Sequence, residues 1–135
     1  MMRLFRIALL PVLTMSAAGM TSTAAATPRV YRNPSNSVHV RPEPCGANIC
    51  GRVVWANAKA KADAAKGGTP NLIGLQLFRN FKSAGPNKWT GSVFIPDINK
   101  TFSGSVIRIN ATTLRGTGCL VGKMGCKSQD WTLLQ

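Results

Sequence analysis

Four cysteines are the residues of this chain with the clearest chemistry. Cys45 and Cys50 have four residues between them, and Cys119 and Cys126 have six. Thiols at these positions could form disulfides, hold zinc or exchange electrons. Structural zinc pairs usually have the tighter C-x2-C spacing, and redox pairs are normally C-x-x-C at the start of a helix. We therefore predict two structural disulfides and no metal site.

The four cysteines allow three pairings. We favour pairing between nearest neighbours, Cys45 with Cys50 and Cys119 with Cys126, because each pair brackets a short segment that contains glycine. Glycine permits the sharp backbone turns that a small ring requires. The spacing by itself leaves the other two pairings open.

Acid–base or nucleophilic catalysis would require a histidine, a carboxylate and a hydroxyl within reach of one another. The chain has one histidine, His39, and four carboxylates, Glu43, Asp63, Asp97 and Asp130. These residues are scattered along the sequence, without a phosphate-binding loop, a haem motif or a metal-ligand cluster. The sequence therefore predicts a protein that is not an enzyme and that uses no cofactor.

Residues 1–26 have the pattern of a cleaved secretory signal peptide. Arg3 and Arg6 precede an apolar run over residues 7–20, and the segment ends in alanines at 24–26. The run is shorter than the roughly 20 apolar residues of a membrane-spanning helix. We expect cleavage after Ala26, no transmembrane span in residues 27–135, and export. The periplasm is the expected compartment and the extracellular space is the alternative; both favour disulfides.

The chain is strongly basic, with 17 lysines and arginines against four acidic residues and a formal net charge of +13. Such a field attracts anionic lipid, polyanionic glycans or nucleic acid. Nucleic-acid sites combine a basic patch with stacking aromatic residues, whereas the basic residues here are spread along the chain. We expect no nucleic-acid partner, and either a solvated basic surface or a contact with an anionic component of the cell envelope.

Alternating apolar and polar residues predict about eight short, half-buried strands in residues 27–135, separated by turn-forming residues. Examples are runs at 49–56, 72–81 and 101–109. Pro42 and Pro44 are expected to end the strand that begins near Val38, since proline donates no ladder hydrogen bond. The fold class predicted is all-β, a small antiparallel up-and-down barrel forming one domain over residues 27–135. At most one short helix is expected, over residues 57–66.

The inward rows of these strands carry the large apolar side chains. A barrel of eight strands has room for packed side chains or for one small ligand. The candidate ligand-binding residues are Val53, Trp55, Leu75, Leu77, Trp89, Phe102 and Trp131. The alternative interpretation is that they form only the hydrophobic core.

The order of several motifs resembles the bacterial family called domain of unknown function 2147. Pro44-Cys45-Gly46 is followed by Ile49 to Trp55, then by Leu72-Ile73-Gly74, Trp89-Thr90-Gly91 and a closing Trp131-Thr132. The resemblance covers essentially all of residues 27–135. One departure is Tyr31, which stands where the family usually has the tryptophan of a Gly-x-Trp.

This resemblance implies a small exported lipocalin-like barrel that binds a small hydrophobic molecule, and it brings no catalytic residues. The function expected is therefore non-enzymatic binding of a small apolar or amphipathic ligand inside the barrel. The alternative is an interaction module whose basic surface binds anionic lipid, glycan or a protein partner of the cell envelope. The residues do not specify an oligomeric state.

Overall fold

Eight antiparallel strands close into a barrel in the computed structural model, which describes residues 29–121 and 124–134. Each strand pairs with its neighbours in the chain, and the first pairs with the last, Tyr31 lying opposite Leu133. The prediction of an all-β up-and-down barrel with one short helix is confirmed. The predicted signal peptide lies outside the described residues.

The first strand has two residues and the other seven have 8–11 residues each. Their bounds are β1 Tyr31–Arg32, β2 Val38–Cys45, β3 Asn48–Ala56, β4 Gln76–Gly85, β5 Lys88–Ile95, β6 Lys100–Asn110, β7 Thr113–Val121 and β8 Met124–Leu133. The helix α1, Ala58–Lys66, lies between β3 and β4. Within the described residues, no helix has the length and apolar character needed to cross a membrane.

The up-and-down order places alternate links at opposite ends of the barrel. The links β2–β3, β4–β5 and β6–β7 are hairpins at one end, which we call the hairpin end. Helix α1 and the links β1–β2 and β5–β6 lie at the other, the helix end. In the β2–β3 hairpin, Gly46 is the first of two loop residues and has a φ of 64°, as in the type II′ turns that such hairpins favour.

Helix α1 is fixed at both of its ends. The side chain of Asn57 accepts a hydrogen bond of 2.8 Å from the backbone N–H of Ala60, a standard N-cap. Just beyond the helix, the buried Thr69 hydroxyl donates to the Pro96 carbonyl in the β5–β6 link at 2.9 Å. Ala64 is fully buried in the core. The alanine-rich segment therefore forms an ordered helix that covers its end of the barrel.

Both disulfides join the nearest cysteines. Cys45 is bonded to Cys50 in the β2–β3 hairpin, and Cys119 is bonded to Cys126, which lies directly opposite it on β8. The predicted pairing is confirmed. The second disulfide joins two paired strands and does not close a long loop. Strands β7 and β8 stay paired beyond the two cysteines, as far as Val121 and Met124.

The prediction that Pro42 and Pro44 end a strand is wrong. Strand β2 continues through both prolines to Cys45 and stays paired with β3. Strand β1 is only two residues long and reaches β2 only as far as Val40. Beyond Val40, none of the described strands pairs with this edge of β2, and a proline at such an edge removes no ladder hydrogen bond.

Irregularities in β3 and β4 change which residues face inward. Val40 lies opposite Val53 but His39 lies opposite Trp55, so Val54 is an extra residue in β3. A bulge of this kind reverses the alternation of side chains beyond it. Trp55 is consequently 42% exposed and stacks on His39, with 4.3 Å between ring centroids. The expectation that Trp55 faces the barrel interior is wrong for this reason.

Strand β4 begins later than the sequence indicated. Residues 72–75 form a turn in which Gly74 has a φ of 88° and donates its N–H to the Val53 carbonyl at 2.8 Å. Ile73 is exposed, whereas Leu72 is buried in the core. The apolar run from residue 72 therefore covers two elements, a tight turn and then the strand from Gln76.

Candidate functional site in the barrel interior

The barrel interior contains two cavities that meet at its middle. The first, which we call the hairpin chamber, has a volume of about 430 Å³ and lies at the hairpin end. The second, the helix-end cavity, has about 750 Å³ and lies near α1 and the β5–β6 link. Phe78, Gly116 and Trp131 border both cavities. These three residues therefore form a partition across the barrel.

The two aromatic rings of the partition pack edge to face. The centroids of Phe78 and Trp131 are 5.5 Å apart and their planes are inclined by 81°, a favourable geometry for aromatic pairs. A β-carbon at Gly116 would be 3.4 Å from the Phe78 ring, and one at Gly51 would be 2.8 Å from it. Glycine at position 51 leaves the space that the Phe78 ring occupies.

The wall of the hairpin chamber is predominantly apolar. It includes side chains of Tyr31, Val40, Phe81, Val106 and Leu114, of which Tyr31, Val40 and Phe81 are buried. Its outer rim includes the exposed Ile49. The chamber is thus deep and apolar at the partition and opens towards solvent at the hairpin end.

Strand register explains how these residues meet. Trp89 on β5, Val106 on β6 and Gly116 on β7 lie opposite one another, and side chains opposite each other share a face of the sheet. The next row of the ladder joins Arg108 to Leu114, which lies opposite Trp131. Both rows face the interior.

Two arginines lie at the rim of the chamber. Arg108 is two residues beyond Val106 and starts from the same inward face; its guanidinium carbon is 5.9 Å from the centroid of the Trp89 ring. Arg29 precedes Tyr31 by two residues, and the hydrogen bond from Leu134 N–H to the Val30 carbonyl, 2.7 Å, holds this segment against β8. Both arginine side chains are exposed and line the chamber.

The candidate ligand-binding residues occupy four locations. Trp89 and Trp131 line the hairpin chamber, and Leu77, Phe102 and again Trp131 line the helix-end cavity. Val53 is 1% exposed and belongs to the core, against which the half-buried Leu75 packs. Trp55 lies on the outside, as described above.

The lining residue Phe78 was missed because strand β4 is irregular. Phe78 and Phe81 both line the chamber, although a regular strand would place residues three apart on opposite faces. Between them the register shifts by one residue, and Asn80 has a φ of 53°. An asparagine within an apolar strand was the only signal of this bulge in the sequence. Arg108, by contrast, follows the alternation of Phe102, Gly104 and Val106 and could have been found.

The disulfide Cys45–Cys50 supports the chamber at its rim. Cys50 is buried, lines the chamber and accepts a hydrogen bond from the Asn80 N–H at 3.5 Å. Through this hydrogen bond, Cys50 connects the β2–β3 hairpin to the irregular part of β4. The other disulfide lies at the helix end.

The ionisable residues considered for catalysis lie apart from the chamber. Glu43 accepts a hydrogen bond from Arg52 Nε at 2.7 Å, and Asp63 and Asp130 are paired with Lys59 and Arg115. Within residues 29–121 and 124–134, no three His, Cys, Asp or Glu residues are grouped as a metal site would require.

The single histidine is held on the outer surface. His39 Nε2 is 2.7 Å from Asn36 Oδ1, and the ring stacks on Trp55. Burial against Trp55 and, secondarily, the positive charge of Arg32 lower the pKa of His39 below 6.5. A neutral imidazole is therefore favoured at this position.

Comparison with known proteins gives a family but no individual relative. No curated protein and no solved structure matches the chain. A family model described as "Uncharacterized protein conserved in bacteria (DUF2147)" matches residues 30–133. This range includes every strand of the barrel and nearly all of the chamber wall. The chain belongs to the bacterial family DUF2147.

Proposed function

We propose that the protein binds a small apolar or amphipathic ligand in the hairpin chamber and does not transform it. The observation that carries this proposal is the chamber itself, about 430 Å³ of apolar space open at one end. Sites for small molecules usually occupy about 300–1,000 Å³ and are lined mainly by apolar and aromatic side chains. The lining of this chamber fits that description.

Burial of apolar surface would supply the affinity. Each methylene group removed from water contributes about 0.8 kcal/mol, which corresponds to about a fourfold gain in affinity. Octanol, decanol and dodecanol should therefore bind with steadily increasing affinity. The increase should stop when the chain reaches the Phe78–Trp131 partition.

The test is displacement of phenylnaphthylamine, a neutral fluorescent probe, by these alcohols. Val106→Trp would place a large ring in the chamber and should abolish binding. Ile107→Trp is the matched control, because Ile107 is the next residue on β6, exposed on the other face. Retained binding in Val106→Trp, with an unfolding transition like that of Ile107→Trp, would contradict the proposal.

The basic surface supports a second candidate, an interaction module for anionic envelope components. Its binding to anionic vesicles should weaken steeply as salt is raised, whereas binding of dodecanol in the chamber should hardly change. Salt-sensitive vesicle binding in a protein that binds no neutral probe would replace the first proposal by the second.

We also propose that the protein is exported after removal of residues 1–26. The disulfides fit an oxidising compartment. Intact mass spectrometry of denatured protein from the periplasm should give the mass of residues 27–135 less four hydrogens. The native mass of the same sample should show any bound ligand. A mass that includes residues 1–26 would refute cleavage.

A further inference from the structure

The two arginines at the rim of the hairpin chamber have no acidic partner there. The chamber lining includes Arg29 and Arg108 and no aspartate or glutamate. Among the described residues, neither arginine has a carboxylate within salt-bridge distance. The nearest acidic residue along β2, Glu43, is not among the residues that line the chamber and is bound by Arg52. Within the part of the chain that the structure describes, the rim therefore carries positive charge with no paired carboxylate.

These charges stand at the border between water and an apolar space. The Arg108 guanidinium lies over the Trp89 ring, which itself lines the chamber. Stacking on an aromatic face keeps the N–H groups of arginine free for an oxyanion. Beneath the rim the wall includes Phe81 and Leu114, and no carboxylate side chain is among the lining residues. An anionic head group at the rim would thus find charged donors, and an attached chain would find apolar surface.

We propose that the hairpin chamber selects a single-chain amphiphile that ends in an oxyanion, either a carboxylate or a phosphate. Arg29 and Arg108 bind the head group at the rim, and the chain extends along Phe81 and Leu114 to the Phe78–Trp131 partition. This inference rests on the proposed function and adds the chemical class of the ligand to it. Arginine is suited to both head groups, because its planar fork donates two parallel hydrogen bonds.

The experiment compares four probes that share one chain, namely laurate, dodecyl phosphate, dodecanol and dodecylammonium. Each displaces phenylnaphthylamine below its micelle concentration. The better of the two anions should bind at least about tenfold more tightly than dodecanol, as expected for hydrogen bonds to charged groups. The order of laurate and dodecyl phosphate identifies the head group. Dodecylammonium should bind most weakly.

Variants separate the rim arginines from the general positive charge of the protein. Arg29→Gln and Arg108→Gln should each reduce the affinity for the preferred anion, and the double variant should bring it to that of dodecanol. Lys100→Gln is the matched control, because Lys100 is exposed at the opposite end of the same strand as Arg108 and lines neither cavity. It should leave the preference unchanged. Thermal unfolding verifies that each variant is folded.

The outcomes distinguish this inference from the proposed function. If dodecanol binds as tightly as both anions, or if the double variant keeps the anion preference, the inference is overturned and the apolar chamber remains a binding site. An equal loss in Lys100→Gln also overturns it, since the effect would then be one of net charge. If none of the four probes binds, the proposed function itself fails.

Discussion

Gly104 and Gly118 lie directly opposite each other on β6 and β7, yet only one of them has room for a side chain. A β-carbon at Gly104 would overlap the Val93 side chain and lie 2.8 Å from the Thr117 carbonyl oxygen, whereas one at Gly118 would meet nothing within 4 Å. We predict that Gly104→Ala lowers the free energy of unfolding by about 1–3 kcal/mol, a typical cost of overpacking. Urea denaturation measures this change.

Gly118→Ala is the control for that substitution. It should leave the free energy of unfolding unchanged or raise it by up to about 1 kcal/mol, because alanine restricts the unfolded chain more than glycine does. Equal destabilisation by the two substitutions would show that backbone freedom, and not the contact with Val93, requires glycine at position 104.

His39 provides a prediction on pH. Its pKa should lie below 6.5, because burial against Trp55 and, to a lesser extent, the charge of Arg32 disfavour the imidazolium. NMR titration of the imidazole protons measures this value, and Arg32→Gln should raise it. Between the folded pKa and about 6.5 the unfolded chain binds the proton more readily than the folded protein does. This contribution to stability is therefore present above pH 6.5 and is lost as the pH falls through that interval.

The variant His39→Gln isolates this contribution to stability. Its unfolding free energy should lack the part of the pH dependence that the wild-type protein shows just below pH 6.5. A measured pKa above 6.5 for His39 would contradict the predicted direction.

At the scale of elements, the two disulfides should stabilise the barrel similarly but affect the chamber differently. Both close short rings, so replacing either pair by alanines should lower the free energy of unfolding by about 2 kcal/mol. Only Cys50 lines the hairpin chamber; Cys119 lines the helix-end cavity. We predict weaker dodecanol binding after loss of Cys45–Cys50 and unchanged binding after loss of Cys119–Cys126.

The measurement pairs urea denaturation with probe displacement on the same samples. The Cys119–Cys126 variant is the control for a general loss of stability. If both variants lose dodecanol affinity equally, the chamber depends on overall stability and not on the hairpin that forms its rim.

At the scale of the whole molecule, the partition sets the length of the bound chain. Phe78 and Trp131 separate the hairpin chamber from the larger helix-end cavity. Replacing Trp131 by leucine removes one of the two rings and should join the spaces. We predict that affinity in the alcohol series then continues to rise beyond the chain length at which the wild-type protein reaches its maximum.

Unfolding measurements accompany this experiment, because Trp131 is buried in the core and a smaller side chain there costs roughly 2–5 kcal/mol. Phe102→Leu is a suitable control, since Phe102 lines only the helix-end cavity. An unchanged optimum in a folded Trp131→Leu protein would show that another group limits the chain.

Regular alternation made much of the barrel predictable. Val53, Trp89, Val106 and Trp131 all face inward as their positions in the sequence indicated. Trp55 and Phe78 do not follow the predicted alternation, because extra residues in β3 and β4 reverse it locally. Bulges depend on how neighbouring strands fit together. A single strand read alone gives little sign of them.

The sequence by itself determined the all-β class and the family, because these depend on local alternation and motif order; the spacing of the cysteines favoured nearest-neighbour disulfides, and the structure settled them. Only the tertiary structure decided that the interior is divided into two cavities. It also decided that two arginines without a carboxylate partner among residues 29–121 and 124–134 stand at the mouth of one of them. Both features depend on residues that are distant in the chain. Arg29 precedes β1 and Arg108 lies on β6, whereas Phe78 on β4 contacts Trp131 on β8. Closure of the barrel brings them together, and no local pattern encodes the space that remains between packed side chains.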